Sequence, residues 1–374
     1  MAIASRPTSH PDPISLSVGE PLELPPEAAL LAVERAVRSG PVRYGAAAGL
    51  PALRQAIVTD TDPGGELGLT PDGVIVTAGG KPAILDALRC ILEIDDEVLI
   101  LAPYWPTFVQ QVQWCRATPV ICRAGFERGN IFAVDALRDA ITERTRAIIV
   151  NAPNNPSATV ATVDQQRAIL DLAREHDLWI IADEVYRQLV FGGVAPSFLA
   201  LDPQRERTIA VTSFSKRFSL TGYRVGAAIA SRDIIDAMTR LTMAAHTHAS
   251  SLAQEAALGA LSLDGTWERE RLEGYRRKRD LALDRWNAID GVRCASPDAA
   301  LYLFPDVREL CRRHDLTDDT ALCGVLHERC GVSLVPGAAF GAPGHVRVSC
   351  GVPIERLDEA LGRIARWAEQ GARP

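Results

Sequence analysis

Residues 73–103 read GVIVTAGGKPAILDALRCILEIDDEVLILAP, and this stretch decides the fold. An apolar run ends in the paired glycines Gly79 and Gly80, a helical stretch KPAILDALRCIL follows, and a second apolar run, EVLILAP, closes the unit. Short apolar runs without polar alternation suit strands buried on both faces. Strand, helix and strand at this spacing imply a crossover between parallel neighbours.

Downstream the alternation continues through TPVIC, AIIVNAP, LWIIADE and TIAVTSF. A helix over 162–177 is announced by Thr162 with Gln165 three residues later, a capping box, and turns Ile169 and Leu172 inward. The expected class is α/β, a mostly parallel central sheet with crossover helices plus a smaller α+β domain. Ligands of such sheets sit beyond the carboxyl ends of the strands. The residues there are Gly79 and Gly80, Pro103 to Trp105, Asn151 to Asn155, Asp183 to Tyr186, and Ser213 to Lys216.

Toward the N-terminus, residues 1–13 are rich in Pro and Ser and read as a loose arm. In ISLSVGEP, Ile14, Leu16 and Val18 alternate with polar residues before Gly19, as in a short strand entering a turn. Pro25 and Pro26 open a helix with Leu30, Val33 and Val37 as apolar positions, closed by Gly40; a loop bearing Tyr44 and another helix follow. Toward the C-terminus, Ser231 starts a long helical region to about 262, which WERERLEGYRRKRDLALDRW continues. Beyond 288, strands ALYLF and HVRVSC and helices over 317–329 and 353–370, the latter with Leu357, Leu361 and Ile364 on one face, form the smaller domain. The expected division is an arm (1–13), a segment packing with the small domain (14–40), a large domain (41–287) and a small one (288–374).

The 374 residues are 47% hydrophobic and 23% charged with a formal net charge of −7, which argues against nucleic acid as a partner. No apolar run approaches bilayer length, so no membrane helix is expected. Eight scattered cysteines without a C-x-x-C pair, and an N-terminus lacking a basic region and an apolar run, read as free thiols in a reducing cytoplasm with no signal peptide. No metal is called for.

Within SFSKRFSLTGYRVG (213–226), Lys216 stands among hydroxyls and glycines with Arg224 eight positions on. A partly desolvated lysine forms a Schiff base with a carbonyl. Arg224, the hydroxyl of Ser213 and the backbone N–H groups around Gly79, Gly80 and Lys81 suit a phosphate, and Pro82 is tolerated in a first helical turn. An aldehyde bearing a phosphate is the natural guest. Asp183 closes an apolar strand and needs a positive partner, which the protonated ring nitrogen of pyridoxal phosphate supplies. Asn155 and Tyr186 can donate to the ring's phenolic oxygen, and Trp105 offers a stacking face.

On these residues the chain resembles the class I/II aminotransferase family of fold-type I pyridoxal-phosphate enzymes, from ISLSVGEP to HVRVSC. The resemblance implies that Lys216 is the Schiff-base lysine and proton shuttle. It implies that Gly80, Lys81, Ser213 and Arg224 hold the cofactor phosphate, that Asp183 pairs with the pyridine nitrogen, that Tyr186 and Asn155 meet the phenolic oxygen, and that Trp105 stacks on the ring. It further implies a homodimer in which Tyr44 reaches the neighbour's cofactor, an Arg347 that grips the substrate α-carboxylate with Asn155 nearby, and a Gly19 that lets backbone approach the substrate. No second arginine is assignable to a distal carboxylate. The chain departs from the family at Ala158, at Ala299 and Ala300, where glycines are usual, and around Arg347, where an aromatic residue is absent and Cys350 follows Ser349. The expected activity is amino transfer between an L-amino acid and a 2-oxo acid. The alternative is another reaction of the same cofactor, such as elimination, decarboxylation or oxidative deamination, on an unusual amino acid; a non-enzymatic sensor domain is the third reading.

Overall fold

The unbroken apolar runs form one central sheet, and the computed structural model describes residues 10–123 and 130–370. In chain order the elements are β1 (Ile14–Ser15), α1 (Glu27–Arg38), α2 (Pro51–Thr61), β2 (Val74–Thr77), α3 (Gly80–Ile91), β3 (Glu97–Ala102), α4 (Thr107–Trp114), β4 (Thr118–Arg123), α5 (Val134–Arg138), β5 (Thr145–Asn151), α6 (Val163–Glu175) and β6 (Trp179–Asp183). There follow α7 (Phe198–Leu201), β7 (Thr208–Ser213), α8 (Phe214–Arg217), β8 (Gly226–Ile229), α9 (Arg232–His246), α10 (Ser251–Leu261), α11 (Thr266–Asn287), β9 (Tyr302–Leu303), α12 (Arg308–Arg313), α13 (Asp319–Cys330), β10 (Val332–Ser333), β11 (Val335–Pro336), β12 (Val346–Ser349) and α14 (Ile354–Gln370).

The central sheet has the order β2-β8-β7-β6-β5-β3-β4. Every pairing is parallel except the two made by β8. β8 reverses because the short segment after β7 turns straight back, with no long crossover helix to restore the direction. Successive side chains of β3 serve opposite layers. Val98 and Ile100 meet Ala83, Ala87 and Leu88 of α3, while Leu99 and Leu101 share a cluster with Ile169 and Leu170 of α6. The capping box joins Thr162 and Gln165, and Ile169 and Leu172 are buried.

The C-terminal part carries the antiparallel sheet β11-β12-β9 and the parallel pair β1-β10. Its core gathers Ile14, Leu16, Trp286, Leu322, Leu326 and the Leu357, Leu361 and Ile364 face of α14. Residues 14–40 therefore do not pack as one unit. β1 joins this part, but α1 lies on α10, where Ala29 sits in one cluster with Ala253, Ala256 and Ala257. The buried positions of α1 are Ala29 and Ala32, whereas Leu30 and Val37 are exposed. Small alanine faces let two helices approach closely, and the larger side chains turn outward. Val18 is 55% exposed, because β1 ends at Ser15 and the chain bends so that Ser17 faces inward.

Two more expectations are corrected. The helical region from Ser231 is broken at 247–250 into α9 and α10, with Thr247 at φ 68°. Of the loose arm, residues 1–9 lie outside the described residues; Asp12 is held by Arg356 at 2.7 Å and Arg363 at 3.0 Å. Among the described residues, no helix is long and apolar enough to cross a membrane.

Candidate active site

The exits of β2, β3, β5, β6 and β7 open onto a cavity of about 870 Å³, which the C-terminal part closes with Tyr302, Val335, Phe340 and Arg347. Ser213, at the end of β7, caps α8 by accepting from the Ser215 N–H at 3.2 Å, and this turn aims Lys216 into the cavity. The Lys216 amine donates to the Gly19 carbonyl at 2.7 Å. Burial lowers its pKa to about 8; Glu20 opposes the shift, while Arg224, Arg347 and Lys81 add to it. An amine so placed is a nucleophile near neutral pH.

Asp183 ends β6 inside the same cavity. It is buried, and among the described residues its carboxylate accepts only a 3.3 Å bond from the Val185 N–H and forms no ion pair. Burial, reinforced by the charge of Glu184, raises its pKa to about 7. Such a carboxylate lacks a cation, and a protonated pyridine nitrogen supplies one.

The anion end is built on the start of α3. Gly79 has φ 98°, and a Cβ there would stand 2.5 Å from Arg224 Nη2, so only glycine lets the guanidinium lie against the helix start. Arg224 donates to the Thr221 carbonyl at 2.9 Å and the Ala78 carbonyl at 3.3 Å, which fixes it beside the free N–H groups of the first turn. These donors, the Lys216 amine and the unpaired Asp183 fit the phosphate, aldehyde and ring nitrogen of pyridoxal phosphate.

Arg347 on β12 is buried. It donates from Nη1 to Asn155 Oδ1 at 3.0 Å and from Nη2 to the Ser17 carbonyl at 2.5 Å, and its Nε has no partner among the described residues. Three rings surround the guanidinium, Tyr302 at 4.7 Å, Phe340 at 5.0 Å and Trp105 at 5.5 Å. Lys81 places its ammonium over the same Trp105 ring, 5.3 Å from the centroid, and burial followed by Arg224 lowers its pKa.

Of the residues expected from sequence, Gly19, Gly80, Lys81, Trp105, Asp183, Tyr186, Ser213, Lys216, Arg224 and Arg347 line this cavity. Asn155 is buried and not among the lining residues; its amide oxygen accepts from Arg347 and its backbone N–H donates to Asn151 Oδ1 at 2.7 Å, so only its side-chain NH2 is left to serve a ligand, while Asn151 lines the cavity. Tyr44 is 89% exposed, edge-on to His248, and lies outside the cavity of its own chain.

Tyr302 was not anticipated. It is buried, its hydroxyl lies 2.8 Å from that of Tyr186, and a Cβ on Gly19 would stand 1.9 Å from its oxygen. The close backbone approach expected at Gly19 is thus made to Tyr302. The usable signal is an aromatic residue in a strand paired with the one carrying Arg347, Tyr302 opposite Ser349. Two of the departing residues, Ala158 and Ala300, are buried at φ 59° and 60°, the backbone region that favours glycine.

The family described as aminotransferase class I and II matches residues 11–364. An aspartate aminotransferase of Bacillus subtilis (strain 168) is 32% identical over 361 residues, covering 96% of this chain and 92% of the relative. An aspartate/prephenate aminotransferase of Thermus thermophilus is 35% identical over 358 residues, covering 95% and 91%. Among solved structures, an aromatic aminotransferase from Pyrococcus horikoshii OT3 aligns with a TM-score of 0.90 at 33% identity, covering 96% of each chain.

Proposed function

Because the chain belongs to the aminotransferase class I and II family, and is a pyridoxal-phosphate-dependent enzyme that moves an amino group between an amino acid and a 2-oxo acid, we propose that its cavity does this on an acidic amino acid. The elimination chemistry weighed as an alternative is not favoured, since the similar proteins named above are aminotransferases. The observation that carries the reading is that the desolvated Lys216 amine and the unpaired Asp183 line one cavity.

In this proposal the cofactor contributes an electron sink next to the substrate α-carbon. The chain's residues do the remaining work. Lys216 Nζ is the attachment point and takes the proton from the α-carbon, which its lowered pKa permits. Asp183 pairs with the ring nitrogen. Gly80, Lys81, Ser213 and Arg224 hold the phosphate, Tyr186 and Asn155 serve the phenolic oxygen, and Trp105 stacks on the ring. Arg347 grips the α-carboxylate, exchanging the Ser17 carbonyl for it. A homodimer in which Tyr44 completes the neighbour's site is supported by the exposure of Tyr44 and by the exposed apolar residues Leu30, Leu31, Val37 and Val42 in the same N-terminal stretch. Distinct apolar clusters support a large domain around the central sheet and a small one that takes Ile14, Leu16, Ala282 and Trp286 in addition to residues of 288–374, and the unpaired cysteines support a reducing, cytoplasmic setting.

An acidic substrate is supported by Lys81, which no longer needs a second arginine beside it: two cations, Lys81 and Arg347, lie over one Trp105 ring. The names of two of the three similar proteins, an aspartate and an aspartate/prephenate aminotransferase, agree with this. The test is an amino-donor screen of the wild type and Lys81→Gln. The variant should raise KM for aspartate at least about tenfold, the worth of one charge-assisted hydrogen bond, and KM for alanine less than about threefold. An equal effect on both donors refutes the assignment.

A further inference from the structure

Asp319 is the first residue of α13, is 1% exposed, and lies outside the cavity lining. Its two carboxylate oxygens are used separately. Oδ2 accepts from the Ala338 N–H at 2.8 Å, and Oδ1 accepts from the Gly344 N–H at 3.0 Å. The positive end of the α13 dipole supports the charge, so no cation is required.

The two N–H groups belong to opposite ends of the loop that joins β11 to β12. The loop closes on itself otherwise, through Gly337 N–H to the His345 carbonyl at 2.7 Å, Ala342 N–H to the Gly337 carbonyl at 3.0 Å and Gly341 N–H to the Ala338 carbonyl at 3.1 Å. At its apex Phe340 is fully buried, with its ring 5.0 Å from the Arg347 guanidinium and 6.3 Å from the Trp105 ring. The Phe340 carbonyl also accepts the Tyr104 N–H at 3.0 Å, next to Trp105. One loop thereby braces the arginine from the C-terminal part and the tryptophan from the central sheet, and a single carboxylate ties both of its ends.

We infer that Asp319 is a positioning residue for substrate binding, which acts through the 337–344 loop and Phe340 to hold Arg347 and Trp105 at the spacing a substrate carboxylate requires. The inference rests on the proposed role of Arg347. An amide cannot replace the carboxylate, because its NH2 group would face one of the two N–H donors and leave that donor unsatisfied. The phosphate is assigned to α3 and Arg224, which this loop does not hydrogen-bond, so cofactor affinity should change only through Trp105 and by less than substrate affinity.

The experiment uses full-length holoenzyme carrying Asp319→Asn, Phe340→Leu, or both. Expected for Asp319→Asn are a rise in aspartate KM of about tenfold, an equal rise in the inhibition constant of succinate, a kcat within about twofold, and a pyridoxal phosphate affinity, measured by titrating the cofactor-free protein, that falls by less than about threefold. The double variant should be no worse than the poorer single variant, since both changes act through one contact. A lowered thermal midpoint with unchanged KM and succinate binding reduces Asp319 to a structural residue and overturns the inference, as does additivity in the double variant. If wild-type protein binds neither cofactor nor aspartate, the proposed function fails instead, and the two failures are distinguished.

Discussion

Substituting Asp183→Asn should stabilise the cofactor-free protein and cripple the cofactor-bound one. The folded-state pKa of Asp183, raised chiefly by burial, is about 7 against an ordinary 3.8, a difference of about 3 units. At about 1.36 kcal/mol per unit, ionised Asp183 costs the cofactor-free fold up to about 4 kcal/mol. The sign follows from linkage. A carboxyl whose folded pKa is raised binds its proton more tightly in the folded state. Its penalty is therefore absent well below pH 3.8, grows as pH rises, and is complete above pH 7. Asparagine carries no such penalty and keeps an oxygen for the Val185 N–H. In urea denaturation of cofactor-free proteins, the variant should be more stable at pH 8 by about 2–4 kcal/mol, and its advantage should widen by about 2–3 kcal/mol between pH 5 and 8. With pyridoxal phosphate the order should invert, because Asp183 then has a charged partner; the variant's cofactor affinity should fall about 10²- to 10³-fold, as when one member of a buried ion pair is removed. A variant less stable than wild type at pH 8 without cofactor, or an advantage that does not change with pH, refutes the reasoning.

Two further outcomes are expected. The lowered pKa of Lys216 requires that attachment of pyridoxal phosphate to the cofactor-free protein, followed by its visible absorbance, accelerate with an inflection near pH 8, as ammonium gives way to free amine; an inflection near the ordinary 10.5 contradicts the desolvation argument. Ala158→Gly and Ala300→Gly should each change stability by less than about 1 kcal/mol. Relief of left-handed backbone strain, about 1–2 kcal/mol, is offset by the lost burial of a methyl group, about 0.8 kcal/mol, and by the unfolded-state freedom of glycine, about 0.4–1 kcal/mol. A loss above about 2 kcal/mol by chemical denaturation would show that these methyls fill space the surrounding side chains cannot.

The sheet was legible because strands buried on both faces leave unbroken apolar runs, and the cavity because every parallel strand delivers its last residue to the same side. What escaped depended on neighbours distant in sequence. Tyr302 gains its place from pairing opposite Ser349 and from the missing Cβ of Gly19, neither of which marks the string ALYLF. Lys81 was read for its backbone N–H, and only the fold reveals its ammonium above Trp105. In α1 the rule that larger apolar residues face the core failed because α10 offers a surface of alanines, which admits Ala29 and Ala32 and leaves Leu30 and Val37 outside.

The segment Ser17–Glu20 ties these findings together. The two cations assigned to cofactor attachment and substrate carboxylate are served by its main chain, Lys216 by the Gly19 carbonyl and Arg347 by the Ser17 carbonyl, while Thr221 binds the Glu20 carboxylate. Neither cation is left buried without an acceptor, which would cost more than the bond itself contributes. Each incoming group must then displace a carbonyl as well as bind a cation, and what it gains is the difference between the two. A charged carboxylate wins that exchange against a neutral carbonyl, since it forms the stronger, two-pronged pair with a guanidinium. A neutral amide in the same place gains little. If Arg347 takes the substrate carboxylate as proposed, the segment makes the cavity selective for an anion there, through backbone oxygens that no side-chain motif announces.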